Sequence, residues 1–223
     1  MRLTEQDHAR VTAAVSAAEQ HTAGEIVTIV ARASDKYNDV AAHAGVLAML
    51  VVLAALSVWP GIAERLYGLV YDPWGETPHT GAWFAIALLL SAVAFLIGRY
   101  ALASLRLRIA LTPGATKTRR VRARALDLFR TSAEQRTAGA TGVLIYLSLD
   151  EHRAELIADA VIHSRVAPET WGAAMAALIA AVKDGRPGDG MAAAVAQVGV
   201  VLAEHFPRGD DDRNELPDRL IEL

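Results

Sequence analysis

Two apolar runs constrain this chain more than any other feature of its sequence. The first extends from Val40 to Trp59 and the second from Gly81 to Gly98, and neither contains Asp, Glu, Lys or Arg. Each run is about twenty residues long, the length that a helix needs to cross a hydrocarbon core of roughly 30 Å. The helices of soluble cores rarely stay uncharged for so long. The sequence therefore predicts a helical hairpin through a membrane, with spans at about 40–59 and 81–103.

Basic residues predict the orientation of this hairpin. Lys and Arg lie shortly before the first run and cluster after the second, whereas the connecting loop contains only Arg65. Because Lys and Arg are enriched in cytoplasmic loops, both termini are predicted to be cytoplasmic and the hairpin to lie in a bacterial inner membrane. Aromatic residues favour membrane interfaces. The predicted outer set is Trp59, Tyr67, Tyr71, Trp74 and Trp83, and the predicted inner set is Tyr37 and Tyr100.

Composition excludes several classes of function. The net charge of −3 argues against a nucleic-acid partner, which requires a basic surface. The chain contains no cysteine, which excludes disulfides, a thiolate nucleophile and Cys-based zinc sites. The first residues form no continuous apolar segment and so do not resemble a secretory signal. The expected partners are the lipid bilayer and a membrane protein, and the small residues in both runs are compatible with a homo-oligomer.

Outside the hairpin, the pattern predicts one α/β domain that the hairpin interrupts. Residues 1–38 supply a helix and the strand that begins at Glu25, too little to form a core alone. Residues 106–207 supply a strand at 142–149, a polar turn, a third strand at 154–162 and several helices, and residues 208–223 form an acidic tail. The predicted fold is a small mixed β-sheet covered by helices, an α/β/α sandwich split by the hairpin segment 39–105. The first strand is expected to pair with the later two.

Local signals predict where several helices begin and end. Thr4 is expected to cap a helix over 3–20, with Asp7 three residues later in an imperfect capping box. The second membrane helix is expected to continue through 100–111 and to end at Pro113 and Gly114. The helix that follows is predicted to bury Val121, Ala125, Leu128 and Phe129, and Asp189 is expected to cap the last helix.

Most of the predicted cytoplasmic part resembles the TPM domain family, and the resemblance begins with the segment from Phe129 to Asp159. The shared features are a helix that ends in Phe129, a loop with Thr137, the run GVLI at 142–145, a polar turn at 150–153 and a Glu-apolar-apolar-Ala-Asp strand at 155–159. The resemblance implies an α/β/α sandwich in a membrane-anchored bacterial subgroup with two inserted spans. It also implies phosphatase activity, calcium binding, or the assembly or repair of membrane complexes. Residues 140–142 and 158–160 depart from the family pattern, which leaves fewer oxygen ligands for a hard cation such as Ca²⁺.

Polar residues near the predicted strand ends form the candidate site, because α/β sheets bind ligands there. Carboxylates could hold Ca²⁺ or Mg²⁺, and an arginine could bind phosphate oxygens. The candidate polar site contains Glu25, Arg130, Thr137, Asp159 and His163, and the candidate metal ligands are Glu25, Asp159 and Asp189. The structural alternative is that the three carboxylates end a strand, cap a helix and pair with an arginine.

Two functions remain open at this point. The first is an interaction or assembly module for a membrane-associated complex, with no obligatory catalysis. The second is a metal-dependent phosphatase at the cytoplasmic membrane surface. The sequence contains no P-loop, Rossmann fingerprint, G-x-S-x-G or H-E-x-x-H motif that would indicate another common enzyme class.

Overall fold

The computed structural model describes residues 3–70, 79–132, 141–209 and 216–223. The chain divides into two compact units. The α/β unit contains Met1–Asp35 and Gly114–Leu223, and the helical unit contains Lys36–Pro113. The described elements are, in chain order, α1 (Glu5–Glu19), β1 (Glu25–Ala31), α2 (Asn38–Val58), α3 (Gly61–Val70), α4 (Thr80–Ala101), α5 (Leu105–Leu111), α6 (Gly114–Ser132), β2 (Gly142–Ser148), β3 (Arg153–Ala158), α7 (Ala160–Arg165), a 3₁₀ turn (Pro168–Trp171), α8 (Gly172–Lys183), α9 (Pro187–His205) and β4 (Ile221–Glu222).

A mixed four-stranded sheet with the order β3-β2-β1-β4 organises the α/β unit. β1 and β2 are parallel, with Glu25 opposite Gly142, and every residue of both strands is buried. Such continuous burial explains why both strands read as unbroken apolar, β-branched runs. The predicted hairpin of β2 and β3 is confirmed, and the predicted α/β fold with a mixed sheet is confirmed with it.

Helices cover both faces of this sheet. One face packs against α1, α8 and α9, whose core residues include Val15, Leu178 and Val198. The opposite face packs against α6 through the predicted stripe, in which Val121, Ala125 and Phe129 are buried and Leu128 is partly buried. Because successive side chains of a strand point to opposite faces of the sheet, each strand contributes residues to the cores on both faces.

Side-chain hydrogen bonds fix the start of α1. The Thr4 amide donates to the Asp7 carboxylate at 2.9 Å, and the Asp7 amide donates to Thr4 Oγ1 at 3.2 Å. The capping box is therefore complete, although Asp replaces the usual Glu or Gln. Further along, α1 packs closely on α9, because a β-carbon at Gly199 would overlap the methyl group of Ala18.

The helical unit contains two described helices that are long and apolar enough to cross a membrane, α2 and α4. They pack against each other at small residues. A β-carbon at Gly98 would lie 2.8 Å from the carbonyl oxygen of Ala44, and one at Gly45 would lie 2.8 Å from the ring of Phe95. Their large apolar side chains are mostly exposed, for example Leu47 and Leu88. Tyr71 and Trp74, two of the predicted interface aromatics, lie outside the described residues.

The prediction that the second membrane helix continues to residue 111 is wrong. α4 ends at Ala101, and α5 begins only at Leu105. The guanidinium of Arg108 donates to the carbonyl oxygens of Leu102 and Ala103, both at 2.6 Å. A cation at a helix C-terminus satisfies carbonyls that have no partner within the helix, so this side chain stabilises the break. Gly114 begins α6 rather than ending the preceding helix.

In the α/β unit, the structure corrects the end of one predicted strand, the pairing of another, and the number of strands. The third strand ends at Ala158, and residues 160–162 belong to α7 instead. Among the described strands, the first strand pairs with β2 and β4 but not with β3. The acidic tail contributes a strand that was not predicted, since β4 pairs in parallel with β1 at Ile29 and Val30.

Candidate functional site

Asp159 lies where β3 ends, and it connects two strands through backbone hydrogen bonds. Its amide donates to the Gly142 carbonyl at 3.0 Å, and its carboxylate accepts the Gly142 amide at 2.9 Å. The carbonyl of Asp159 then accepts the amides of Ile162 and His163 at the start of α7. The side chain is buried at 7% exposure, as expected for a carboxylate that completes the end of a strand pair.

Glu25 lies near the same end of the sheet, at the first residue of β1. Its carboxylate accepts the Leu216 amide at 3.1 Å, so it binds the C-terminal segment to the start of the strand. This end holds the amino termini of the parallel strands β1 and β2. Open α/β sheets usually bind ligands at the carboxyl ends of their strands. The location of Glu25 therefore differs from the ligand site that the sequence pattern suggested.

Asp189 has arginines as its described partners. It forms ion pairs with Arg10 and, at 3.6 Å, with Arg186. The prediction that Asp189 caps the last helix is wrong, because α9 begins at Pro187 with Arg186 at the capping position. Asp189 is instead in the first turn, where a negative charge favours the helix dipole.

No metal centre forms from these residues in the part of the chain that the structure describes. Across residues 3–70, 79–132, 141–209 and 216–223, no group of three or more His, Asp or Glu side chains is placed to hold a metal ion. Thr137, the remaining polar candidate, lies outside these ranges. The donor set predicted for Ca²⁺ or Mg²⁺ thus consists of carboxylates that bind backbone amides or arginines.

Sequence reasoning missed a buried acid, Glu19, beside the C-terminal segment. Glu19 is 8% exposed and its carboxylate accepts the Ile26 amide at 2.8 Å. Burial raises the pKa of Glu19 to about 8, and the charges of Glu25 and Asp218 add to this effect, while the Ile26 hydrogen bond opposes it. A signal was present in the sequence, since Glu19 continues the spacing of Val11 and Val15 along the buried face of α1.

Three of the predicted residues line one cleft along β3. The cleft has a volume of about 720 Å³, and Arg130, Asp159 and His163 all contribute to its lining. Its floor is β3 itself, over residues 154–158. One wall is α6, and the other is formed by the 3₁₀ turn and α8. The sequence therefore predicted members of this cleft, but not its shape or its relation to the sheet edge.

The chemistry of this cleft differs between its two walls. The α6 wall presents the exposed guanidiniums of Arg122 and Arg130 beside Leu126 and Phe129. The opposite wall presents the apolar side chains of Trp171 and Met175. Within the floor, burial raises the pKa of Glu155, against the lowering effect of Arg122 and Arg153. The cleft is suited to a ligand with one acidic side and one apolar side.

Comparison with known proteins gives a structural neighbour and no family assignment. No family model matches the chain, and no curated protein matches it. The chain is similar to the NMR structure of the BA42 protein from the psychrophilic bacterium Bizionia argentinensis, with a TM-score of 0.57 and 17% sequence identity. The match covers 100% of this chain and 97% of that one. At this identity the similarity supports the fold alone.

Proposed function

We propose that this protein is a TPM-like α/β module, anchored in a bacterial inner membrane by α2 and α4, that helps to assemble or support a membrane-associated complex. One observation supports the proposal: the candidate carboxylates are engaged within the fold, whereas the cleft along β3 is open. Glu25 and Asp159 bind backbone amides that complete the fold, and Asp189 binds arginines. The cleft along β3, in contrast, has basic and apolar side chains in its lining that a partner can contact. This distribution favours recognition over catalysis.

The proposed membrane topology follows from the distribution of charge. Both termini are on the cytoplasmic side because basic residues flank the hairpin, and Trp59, Trp83 and Tyr100 lie near the two interfaces because aromatic rings favour interfaces. The side chain of Tyr37, which was predicted for the inner interface, is instead buried within the protein. The α/β unit then works at the cytoplasmic surface. Its partner is a membrane protein or a protein bound to one, and nucleic acid is not a partner.

Site-directed labelling tests this topology, since the chain contains no cysteine. Single cysteines replace three exposed glutamates, Glu5, Glu64 and Glu204, one at a time. In intact spheroplasts, a membrane-impermeant maleimide is expected to label Glu64→Cys and to leave the other two unlabelled until the membrane is opened. Labelling of Glu5→Cys and Glu204→Cys from different sides of the membrane would contradict a single cytoplasmic domain.

Affinity isolation tests the assembly function. The tagged full chain is isolated from native membranes after mild cross-linking, with untagged membranes as the control. A companion present in stoichiometric amount is expected. A chain that is recovered alone under these conditions would overturn the proposal.

The second candidate, a metal-dependent phosphatase, is favoured by Arg130, Asp159 and His163 in one cleft. The full chain in detergent is treated with chelator and then titrated with Ca²⁺, Mg²⁺ or Mn²⁺, while its melting temperature and the hydrolysis of a phosphate monoester are followed. The assembly proposal expects no turnover. Metal-dependent turnover that is lost in Asp159→Asn would establish the phosphatase instead, because the amide oxygen of Asn still accepts the Gly142 amide and preserves the strand end.

A further inference from the structure

We propose that the edge of β3 that no described strand covers binds an extended segment of the partner protein as an additional β-strand, and that this segment alternates acidic and apolar residues. This inference rests on the proposed function and specifies how the partner is held. The cleft of about 720 Å³ gives it room beside the strand. Addition of a strand to an open sheet edge is a general mode of peptide recognition, in which backbone hydrogen bonds supply affinity and side-chain pockets supply specificity.

The hydrogen-bond pattern shows which backbone groups of β3 are available. The Asp159 amide bonds to the Gly142 carbonyl, and Ala158 lies opposite Val143. In an antiparallel pair, hydrogen-bonded and non-hydrogen-bonded positions alternate. The residues of β3 that point their backbone N–H and C=O groups away from β2 are therefore Ala154, Leu156 and Ala158. In the described part of the chain, β3 has no second strand neighbour to receive them.

The two walls of the cleft then determine the side chains of an added strand. Along β3, Glu155 and Ile157 are on the α6 side, because they lie opposite Tyr146 and Leu144 of that core. Leu156 is on the α8 side, where it packs against the other core. An added strand continues this alternation, with successive side chains on opposite faces of the sheet.

The side chains of the two cleft walls favour different residue types on the two faces of an added strand. On the α6 side the added strand meets the exposed guanidiniums of Arg122 and Arg130 and the half-buried carboxylate of Glu155. Because the Asp159 carboxylate is occupied by the Gly142 amide, the two guanidiniums outnumber the remaining acid, and this side favours carboxylates. On the other side it meets Trp171 and Met175, which favour apolar side chains. A segment with acidic and apolar residues in strict alternation satisfies both walls at once.

A second copy of this chain fits the edge less well. Pairing of β3 with β3 of another copy is isologous, so each surface meets its own equivalent around a two-fold axis. The basic residues of α6 in the two copies would then face the same paired strands. Arg119, Arg122, Arg124 and Arg130 are all exposed on this helix, and its only acid is Asp127. Like charges brought together across an interface disfavour association.

The test uses a fluorescent heptapeptide of alternating Val and Glu, acetylated and amidated at its ends. The full chain is held in nanodiscs of phosphatidylcholine, whose zwitterionic headgroups do not compete for the arginines. Binding is followed by fluorescence anisotropy. A heptapeptide of alternating Val and Lys is the ligand control.

Charge reversal tests the α6 wall. Arg122→Glu with Arg130→Glu is expected to weaken binding of the Val-Glu peptide by about tenfold or more, the effect of losing a charge-assisted hydrogen bond. Arg119→Glu with Arg124→Glu changes the net charge equally outside the cleft lining and is expected to leave binding within about twofold, well below that loss. Because Arg122→Glu lies near Glu155, the milder Arg122→Gln with Arg130→Gln is the second variant, with a smaller loss in the same direction.

Backbone methylation tests strand addition itself. In a strand, alternate N–H groups point to opposite edges, so only the Val nitrogens or only the Glu nitrogens face β3. Of two peptides, one methylated on every Val nitrogen and one on every Glu nitrogen, exactly one is expected to lose binding. Equal effects of the two methylations, equal binding of the Val-Lys peptide, or no binding of the Val-Glu peptide would overturn the inference.

Two further results separate this inference from the proposed function. A native companion that is recovered equally with wild type and with Arg122→Glu, Arg130→Glu would overturn strand addition at this edge while the assembly function stands. A disulfide-linked dimer of Ala154→Cys in native membranes would assign the edge to a second copy and also overturn the inference. If no companion is recovered, the assembly function fails, whereas the peptide measurements still decide the chemistry of the cleft.

Discussion

The two edges of the sheet are treated differently by the chain. At the β1 edge, residues 216–223 add β4, and the Leu223 amide donates to the Val30 carbonyl at 2.9 Å. At the β3 edge, the described chain adds no strand, and a cleft remains. An unpaired edge invites association with other chains, so proteins usually cover it. The described residues therefore cover the β1 edge with a strand and leave the β3 edge without one.

The covered edge is held by side chains as well as by β4. Leu216 joins the core under α6, and Leu220 joins the core under α1 and α9, so the segment contributes one leucine to each face. Polar contacts accompany them, because Asp218 bonds to Ser16 and the Glu222 carboxylate lies 3.3 Å from the ring of His8. These contacts predict that residues 216–223 contribute to stability, whereas the exposed arginines that line the cleft, Arg122 and Arg130, contribute little.

Deleting residues 216–223 tests this difference most severely. Leu216 and Leu220 are 7% and 5% exposed, and burial of one leucine stabilises a fold by about 1.5–3 kcal/mol, so the α/β unit is expected to lose about 3–6 kcal/mol. Hydrogen exchange of β1 amides, followed by mass spectrometry on the full chain in detergent, measures the loss. Unchanged protection of β1 would show that the segment contributes nothing to this edge.

A single substitution in the same segment has the next largest effect. Leu220→Ala is expected to destabilise the α/β unit by about 2–5 kcal/mol, since it creates a cavity in a packed core. Leu223→Ala is the matched control, because that side chain is 54% exposed, and its effect is expected to stay within about 0.5 kcal/mol. Equal denaturation midpoints for the two variants would argue against the packing described for Leu220.

Glu19 makes the covered edge sensitive to pH. Its pKa rises from an ordinary value of 4.5 to about 8 in the folded state, so the folded chain binds a proton that the unfolded chain has released. The stabilisation is complete below pH 4.5, declines by up to about 1.4 kcal/mol per pH unit as the pH rises, and is lost above pH 8.

Glu19→Gln is expected to remove this decline and to leave the chain more stable than wild type at pH 8. The Gln amide accepts the Ile26 N–H and donates towards Asp218, as protonated Glu19 does. Denaturation between pH 5 and pH 9 measures the difference, with the exposed Glu5→Gln as the control. Parallel pH profiles for wild type and Glu19→Gln would contradict the assignment.

The smallest effect is expected at the cleft edge. Arg122→Gln with Arg130→Gln removes two exposed charges from α6 and is expected to change the free energy of unfolding by no more than about 0.5 kcal/mol. The measurement is hydrogen exchange of β2 amides, the strand beside β3. A loss comparable with that of Leu220→Ala would mean that the arginines stabilise the fold instead of facing a partner.

Patterns within one element predicted much of the fold. β1 and β2 are buried on both faces, so their apolar runs carry a strong strand signal, and the polar turn at 150–153 predicted the hairpin to β3. The Thr4 and Asp7 pair predicted the start of α1 because capping needs only neighbouring residues. The stripe of α6 followed from helical spacing alone.

The features that the sequence did not reveal depend on contacts that no repeating pattern within one element indicates. β4 is only two residues long and forms because it pairs with β1, so the local sequence does not predict it. The break after α4 depends on Arg108, which reaches back to Leu102 and Ala103. β3 ends early because Asp159 binds Gly142, which lies 17 positions away.

The candidate site was predicted only in part for a related reason. Residue types suggested that Glu25, Asp159 and Asp189 could share a cation, but their roles depend on which groups the folded chain brings to them. A buried backbone amide requires a hydrogen-bond acceptor, and the amides of Leu216 and Gly142 meet Glu25 and Asp159. The cleft was not predicted because it depends on sheet order and on the spacing of two helices.

The parallel pairing of β1 with β2 has a consequence for biosynthesis. Thr141 Oγ1 donates to the Ala23 carbonyl, and these residues are 118 positions apart with the long apolar helices α2 and α4 between them. At about 5–20 residues per second, a ribosome needs roughly 6–24 s to advance over this distance. During that interval the first strand, which is buried along its whole length in the folded protein, has no partner strand to pair with. The apolar segment 25–31 can associate with other chains during that interval, so we expect a chaperone to bind it early in the maturation of the nascent chain.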